Sequence, residues 1–268
     1  MLDGQVAAAN DETALGVAIR RVEDLVVATE PGASLPGENE LAEGLSISRL
    51  TVREALKVLS GRGLVRLSRG RRPTVRSRDS GVLAHYLAVT IRRDSRGLLE
   101  LNEVRQSLEG LSAELAARNA GRAALSALAG SLAELERAAV LVEASAKADQ
   151  AALADYHRAD VAFHETLALA SGNRMLAFLL EALGECLHTS VESAGQGHFA
   201  RGGTTAEVVA DHRRILDAVR AGDARLARSA MQQHLRRAER DLHLALGSLT
   251  TTPAANETGA TATRGDLT

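Results

Sequence analysis

Asp160 and His164 stand four residues apart, a spacing that puts both side chains on one face of a helix. Two further imidazoles, His212 and His234, lie 10 residues before and 12 residues after Gly222. If helices run into and out of that glycine, a rise of about 1.5 Å per residue sets them about 15 Å and about 18 Å from the turn, nearly level. One carboxylate and three imidazoles at one height are a donor set for a divalent metal ion: Zn, Ni, Mn, Fe or Co. Three or four protein ligands leave positions that water or a small acid can fill. His157, three residues before Asp160, is a rival ligand on the same face. The plainer alternative is that these are surface or locally satisfied members of a set of eight histidines; His188, His198 and His243 read that way, as surface or loop residues. A metallohydrolase is disfavoured. HExxH fails because Ala168 stands where its second histidine is required, and Glu165 points away from the metal face. No catalytic residue is assigned.

A second constellation is electrostatic. Residues 49–78 hold ten Arg or Lys against a single acid, Glu54, hence +9 in thirty residues. The whole chain sums to −2, so the other 238 residues carry −11. Such segregation points to a polyanion partner at one end only, the alternative being a solvated basic face.

These groups need elements to position them. Residues 12–30 carry Leu15, Ala18, Ile19, Val22, Leu25 and Val26 at three- and four-residue steps and predict an amphipathic helix, ended by Pro31-Gly32. A short helix is expected over 38–44. A second over about 48–61, capped by Ser46 or Ser48, has Val52, Ala55, Leu56 and Leu59 as its core stripe. Two β runs, 64–67 and 74–76, flank Arg69-Gly70-Arg71-Arg72 as a small basic hairpin. Helix, turn, helix and hairpin make the winged helix-turn-helix layout, whose second helix enters the major groove N-terminal residues first. Those residues are Ser48, Arg49, Leu50, Thr51 and Arg53. Arginine binds a guanine edge bidentately, and threonine meets phosphate or a base. The wing tip, Arg69, Gly70 and Arg71, reaches the minor groove or backbone. The competing role for Arg53 is an ion pair with Glu54 or Glu43.

The chain therefore divides into 1–11, a loose N-terminus; 12–78, the DNA-binding domain; 79–97, a linker with a short apolar stretch; 98–247, helical throughout; and 248–268, a Thr-, Ala- and Gly-rich disordered tail. Six helices are expected in the fourth part, over 98–120, 123–146, 151–170, 174–194, 205–220 and 223–246, with a glycine-rich loop over 195–203. Together they make an antiparallel bundle. The fold class is mainly α. Three Phe, two Tyr and no Trp leave a core of Leu, Val, Ile and Ala and no stacking platform for single-stranded nucleic acid. Cys186 is alone, which excludes an intrachain disulfide and a cysteine-based zinc finger. No apolar run approaches the roughly 18 residues of a membrane span, and the N-terminus lacks a signal-peptide pattern, so a cytoplasmic protein with no membrane partner is expected.

Leu35-Pro36-Gly37-Glu38-Asn39-Glu40-Leu41-Ala42, then Ser46-Ile47-Ser48-Arg49-Leu50-Thr51-Val52-Arg53-Glu54-Ala55-Leu56, then Leu59 and Gly63-Leu64-Val65, resemble the N-terminal domain of GntR-family bacterial transcription regulators. Gly37 and Asn39 depart from the family's usual Ser or Ala and basic residue, and Arg71-Arg72-Pro73 from its glycine-rich wing; Asn39 can still donate to phosphate or read adenine. Asp160-Val161-Ala162-Phe163-His164, Ala170-Ser171-Gly172-Asn173, Asp211-His212-Arg213-Arg214-Ile215-Leu216, Gly222-Asp223-Ala224, and Met231 through His234-Leu235 resemble the FadR-type C-terminal effector domain, FCD. The resemblance implies a divalent metal on Asp160, His164, His212 and His234, with a small carboxylate effector beside it. It also matches Arg105 to a buried arginine on the first bundle helix, a carboxylate clamp whose rival role is a structural pair with Asp217 or Glu109. Asn173 is expected either to line the effector pocket or to cap a helix. The implied function is a sequence-specific DNA-binding transcription regulator, a repressor in the first instance, acting as a homodimer on palindromic double-stranded DNA. A metal-responsive regulator is the alternative.

Overall fold

The computed structural model describes residues 13–76, 80–93, 96–144 and 149–249. The expected loose N-terminus, and the expected tail from 250 onward, lie outside these residues. The chain separates into two compact units, 1–87 and 88–268.

In the first unit, α1 (Ala14–Ala28) begins at Thr13, whose hydroxyl accepts from the Gly16 N–H at 3.1 Å. α2 (Glu38–Leu45) starts where Glu40 reaches back to the Gly37 N–H at 2.8 Å. Of the two serines able to cap the next helix, Ser48 does so, taking the Thr51 N–H at 3.1 Å, while Ser46 ends α2 in the left-handed conformation. α3 (Arg49–Gly61) buries Val52, Ala55, Leu56 and Leu59 against Val22, Leu35 and Leu41. The hairpin is shorter than its apolar runs suggest: β1 (Val65–Arg66) pairs antiparallel with β2 (Thr74–Val75). Ser34 bridges Thr74, and Pro73, which has no N–H to give, lends its carbonyl to the Leu35 N–H.

Part of the expected linker is helical, as α4 (Gly81–Arg92).

The second unit is all helix among its described residues: α5 (Gly97–Asn119), α6 (Arg122–Ala144), α7 (Gln150–Ala170), α8 (Arg174–Ala182), α9 (Gly184–Ala200), α10 (Thr205–Arg220) and α11 (Ala224–Leu249). Its core joins Leu128, Leu132 and Leu135 of α6 to Phe163 and Leu167 of α7, Ile215 and Leu216 of α10, and Met231 and Leu235 of α11. Two expectations need correction. The single helix over 174–194 is two, breaking at Leu183-Gly184. The glycine-rich loop is mostly the last turns of α9. Those glycines permit close approach rather than break the helix: a Cβ on Gly197 would overlap the Asp241 carbonyl of α11, and one on Gly195 would crowd the His157 ring of α7. The same correction applies to His198, which is buried at the end of α9 instead of exposed in a loop.

Candidate functional site

The i, i+4 step on α7 places Asp160 and His164 inward, and the α10–α11 hairpin brings His212 and His234 to the same level. All four are buried. The His212 and His164 Nε2 atoms are 3.4 Å apart. Asp160 sets one carboxylate oxygen 3.3 Å from His212 Nε2 and the other 3.7 Å from His164 Nε2. One ligand nitrogen from each of the three rings lies within 4.8 Å of the others. Such donor-to-donor spacings suit a cation held at about 2.0–2.2 Å by N and O ligands. The His212 ring rests edge-on against Phe163, with centroids 4.7 Å apart.

Each imidazole has an oxygen behind it. His164 Nδ1 touches a Glu109 carboxylate oxygen, His212 Nδ1 lies 2.9 Å from the Val208 carbonyl, and His234 Nδ1 is 3.8 Å from Asp211. Outer partners of this kind fix ring orientation and raise ligand basicity. Residue spacing alone does not place Glu109 and Asp211 behind these rings; the signals for them are the i, i+4 step from Arg105 to Glu109 and the adjacency of Asp211 to His212.

Burial governs the protonation of His212 and His234. It holds His212 and His234 down at about 3, against the pull of Asp160, so both rings are neutral near pH 7 and their lone pairs are free for a metal. Burial pushes the Asp160 carboxyl up, but the three imidazoles and Arg105 together outweigh it and hold it below its ordinary value. Glu109 is likewise lowered against burial, by Arg105 and His164.

Asp160 and His234 open onto a cavity of about 680 Å³. Arg105, 1% exposed, lines it too, its Nε donating to Glu109 at 2.7 Å and its Nη1 3.5 Å from the Ser190 hydroxyl. Asp217 is not its partner; it faces solvent near Arg220. Around the cavity, Asp211 pairs with Arg214 and Arg237, and Arg201 donates to Asp241 at 2.6 Å. Asp241 also holds His198 Nδ1 at 3.0 Å. Asn173 does not line the cavity. Its carboxamide oxygen accepts from the Met175 and Leu176 N–H groups at 3.0 and 3.3 Å and caps α8, where orphan helix donors demand an acceptor. His157 also lines the cavity, with burial keeping its ring neutral. It does not belong to the trio of mutually close histidines.

Among the described residues from 49 to 76, every basic side chain except the half-buried Arg76 is exposed. With the α3 stripe buried, Arg49, Leu50 and Arg53 face water, and Leu50 is 66% exposed. Thr51, half-buried, shares a 2.7 Å hydroxyl contact with Ser48. Arg53 is paired neither with Glu54 nor with Glu43: its Nε and Nη2 donate to one oxygen of Glu38, at 3.1 and 3.0 Å. That leaves the Nη1 side of the fork unused. Asn39 is exposed on α2. Arg69 and Arg71 flank Gly70 at the hairpin tip, where φ of +71° favours glycine. Arg72 ties the wing to α2 through Glu40 at 2.7 Å. Arg49, Arg69 and Arg71 have no ion-pair partner among the described residues.

Comparison with known proteins bears on both units. The family described as bacterial regulatory proteins, gntR family, matches residues 18–75, and the FCD domain matches residues 100–237. The Glc operon transcriptional activator of Escherichia coli K12 is 31% identical over 216 residues, covering 79% of this chain and 81% of that one. LutR, an HTH-type transcriptional regulator of Bacillus subtilis 168, is 30% identical over 78% of this chain and 91% of its own length. A solved structure, Streptococcus agalactiae GntR, superposes with a TM-score of 0.65 at 26% identity, covering 84% of this chain and 99% of that one.

Proposed function

The chain belongs to the gntR family of bacterial regulatory proteins and carries an FCD domain, and from that premise we propose that it controls transcription by releasing or holding an operator according to a small carboxylate bound beside a metal in its bundle. It is a transcription regulator and not an enzyme. The observation that carries the proposal is the convergence of Asp160, His164, His212 and His234 in one cluster, of which Asp160 and His234 line a cavity that Arg105 also lines.

In this reading Asp160, His164, His212 and His234 hold a divalent ion, which when bound supplies a Lewis-acid pole for an oxyanion. Arg105 supplies the opposite jaw. Glu109 occupies its Nε and the Ser190 hydroxyl lies 3.5 Å from its Nη1, and the remaining donors are the ones that would clamp a carboxylate. Glu109 thereby orients the clamp and the His164 ring at once. Burial keeps His212 and His234 unprotonated, so the site needs no proton release from them to take a metal.

The reading head uses Ser48, Arg49, Leu50, Thr51 and Arg53 in the major groove, with Asn39, Arg69, Gly70 and Arg71 on backbone or minor groove. An exposed leucine at the start of such a helix suits a thymine methyl. Two copies bind half-sites about 34–36 Å apart on a palindrome. Repression by occupancy is the simplest mode, and a regulator of this kind works at the chromosome, in the cytoplasm. The acid alters operator affinity only by binding one arrangement of the protein better than another. Helix α4 lies in the stretch that must accommodate the change.

The test uses a duplex selected by the full chain from random DNA. Purified protein with one equivalent of metal is titrated with small carboxylates while duplex binding is followed. A change with acid supports the proposal. A change with metal alone, and none on adding acid, assigns the metal as the signal instead.

A further inference from the structure

We propose that Glu38 is the positioning residue for base recognition by Arg53: it occupies one edge of the guanidinium, leaves another as the reading edge, and so sets a guanine preference at one operator position. The inference rests on the reading of α3 as the groove helix given above, and adds to it a residue that acts through Arg53.

An exposed ion pair is usually loose, because two long side chains give up rotamer freedom to hold one geometry in water. This pair is tied at both ends. Arg53 sends two donors, Nε and Nη2, to a single oxygen of Glu38, at 3.1 and 3.0 Å. Glu38 comes from another helix, fifteen residues away, and opens α2. That helix is fixed on both sides. Leu41 and Ala42 pack in one core with Val52 and Leu56 of α3. Glu40 takes the Gly37 N–H at 2.8 Å with one oxygen and holds Arg72 of the wing at 2.7 Å with the other. The carboxylate that receives Arg53 therefore stands on an anchored backbone, at a helix N-terminus that favours its negative charge.

The consequence lies in which donors remain. A guanidinium carries five N–H groups in a rigid plane. Nε and Nη2 share its side edge, which Glu38 fills. The end edge keeps one N–H of Nη1 and one of Nη2, side by side. Two parallel donors match O6 and N7 of guanine; in the major groove adenine offers an acceptor beside a donor, thymine a single acceptor and cytosine a donor. An arginine without such a restraint can turn to phosphate instead, a contact that carries no sequence information. Glu38 opposes that turn twice, by holding the side edge and by placing a negative charge where a phosphate would have to come. It lowers general affinity for DNA and raises discrimination, as a supporting residue does when it locks the rotamer of a binding group. Arg49, four residues earlier, has no ion-pair partner among the described residues and lacks this restraint.

The test selects duplexes from random DNA with the full chain and with its variants, and compares base preference position by position. Arg53→Ala identifies the position that Arg53 reads, and the wild type should select guanine there. Glu38→Ala should cut that guanine preference by about fivefold or more, the low end of what a bidentate contact discriminates. Preference at other positions should stay within about twofold, and affinity for an unrelated duplex should be unchanged or raised. Glu38→Gln, whose carboxamide oxygen still accepts from Nε and Nη2, should lie between Glu38→Ala and the wild type. Adding Glu38→Ala to Arg53→Ala should change preference no further, since the acid acts through that side chain. The proposal is overturned if Glu38→Ala leaves the guanine preference intact, if it weakens every sequence by one common factor, if its effect is the same with and without Arg53, or if the position that Arg53 reads is not a guanine. An Arg53→Ala variant that relaxes no position overturns the groove reading of Arg53, and this inference with it.

Discussion

His234→Ala is the most discriminating perturbation of the metal-ligand set. His212 is the poorer choice, because its ring is fully enclosed and packed on Phe163, so removing it leaves a dry void as well as a missing ligand. His234 lines the 680 Å³ cavity, and solvent can refill the space its ring leaves. The metal-free variant should therefore lose only about 1 kcal/mol. Metal should matter far more. At a free metal concentration of 100 Kd, binding stabilises the wild-type bundle by about 2.7 kcal/mol. For a unit of this size that is about 5–10 °C of melting temperature. A variant that binds 100-fold more weakly retains about 0.4 kcal/mol at the same concentration, a shift of about 1 °C. The assay is a thermal melt by calorimetry, with and without ZnCl2 or MnCl2 at one fixed free concentration. Equal metal-induced shifts in the variant and the wild type would refute the ligand assignment.

Other consequences follow from the same geometry. Arg49→Ala should cost about 1–3 kcal/mol in affinity for a selected duplex and relax preference at one base position, read by repeating the selection with the variant. Replacing Arg69 and Arg71 by alanine should weaken binding evenly across sequences and flatten the salt dependence of log K by about 0.9 per lost phosphate contact, measured by titration over a range of salt; an unchanged slope removes the wing from the interface. Leu56→Ala should destabilise the first unit by about 2–5 kcal/mol, because Leu56 is wholly enclosed there, as chemical denaturation would report. For the metal-free chain, stability should be flat above pH 6.5 and fall below it. The unfolded chain protonates His212 and His234 near their ordinary 6.5, whereas the folded chain refuses those protons until about 3, so each ring removes about 2 kcal/mol by pH 5 in denaturant melts run across that range.

What the sequence made legible is whatever local periodicity sets. Ser48 as a cap, the Val52, Ala55, Leu56 and Leu59 stripe, the i, i+4 pair on α7 and the level crossing of His212 and His234 all follow from helix geometry and one turning glycine. What tertiary approach decides was opaque. Gly195 and Gly197 look like helix breakers, yet they lie inside α9 because α7 and α11 come too close for a Cβ. His198 therefore appears exposed in the sequence and is buried beside Asp241 in the fold. Glu109 and Asp211 stand behind His164 and His234 through contacts between helices, which a single chain of letters does not display. Glu38, fifteen residues from Arg53, is a better partner than either nearby acid because α2 and α3 pack against each other. Asn173 shows the reverse case, in which the local role as a cap won over the site role.

The central claim is that one chain couples an acid-binding bundle to a DNA-reading head. Fluorescence anisotropy of a labelled, selected duplex held by the metal-loaded chain tests it most directly, with acid added to saturation and saturation verified by calorimetry. Reciprocity requires that an acid which shifts duplex affinity bind with a correspondingly shifted affinity when duplex is present. The expected change in duplex affinity is about fivefold or more, lost in His234→Ala. Duplex affinity that stays constant while the bundle is fully occupied by acid would contradict it.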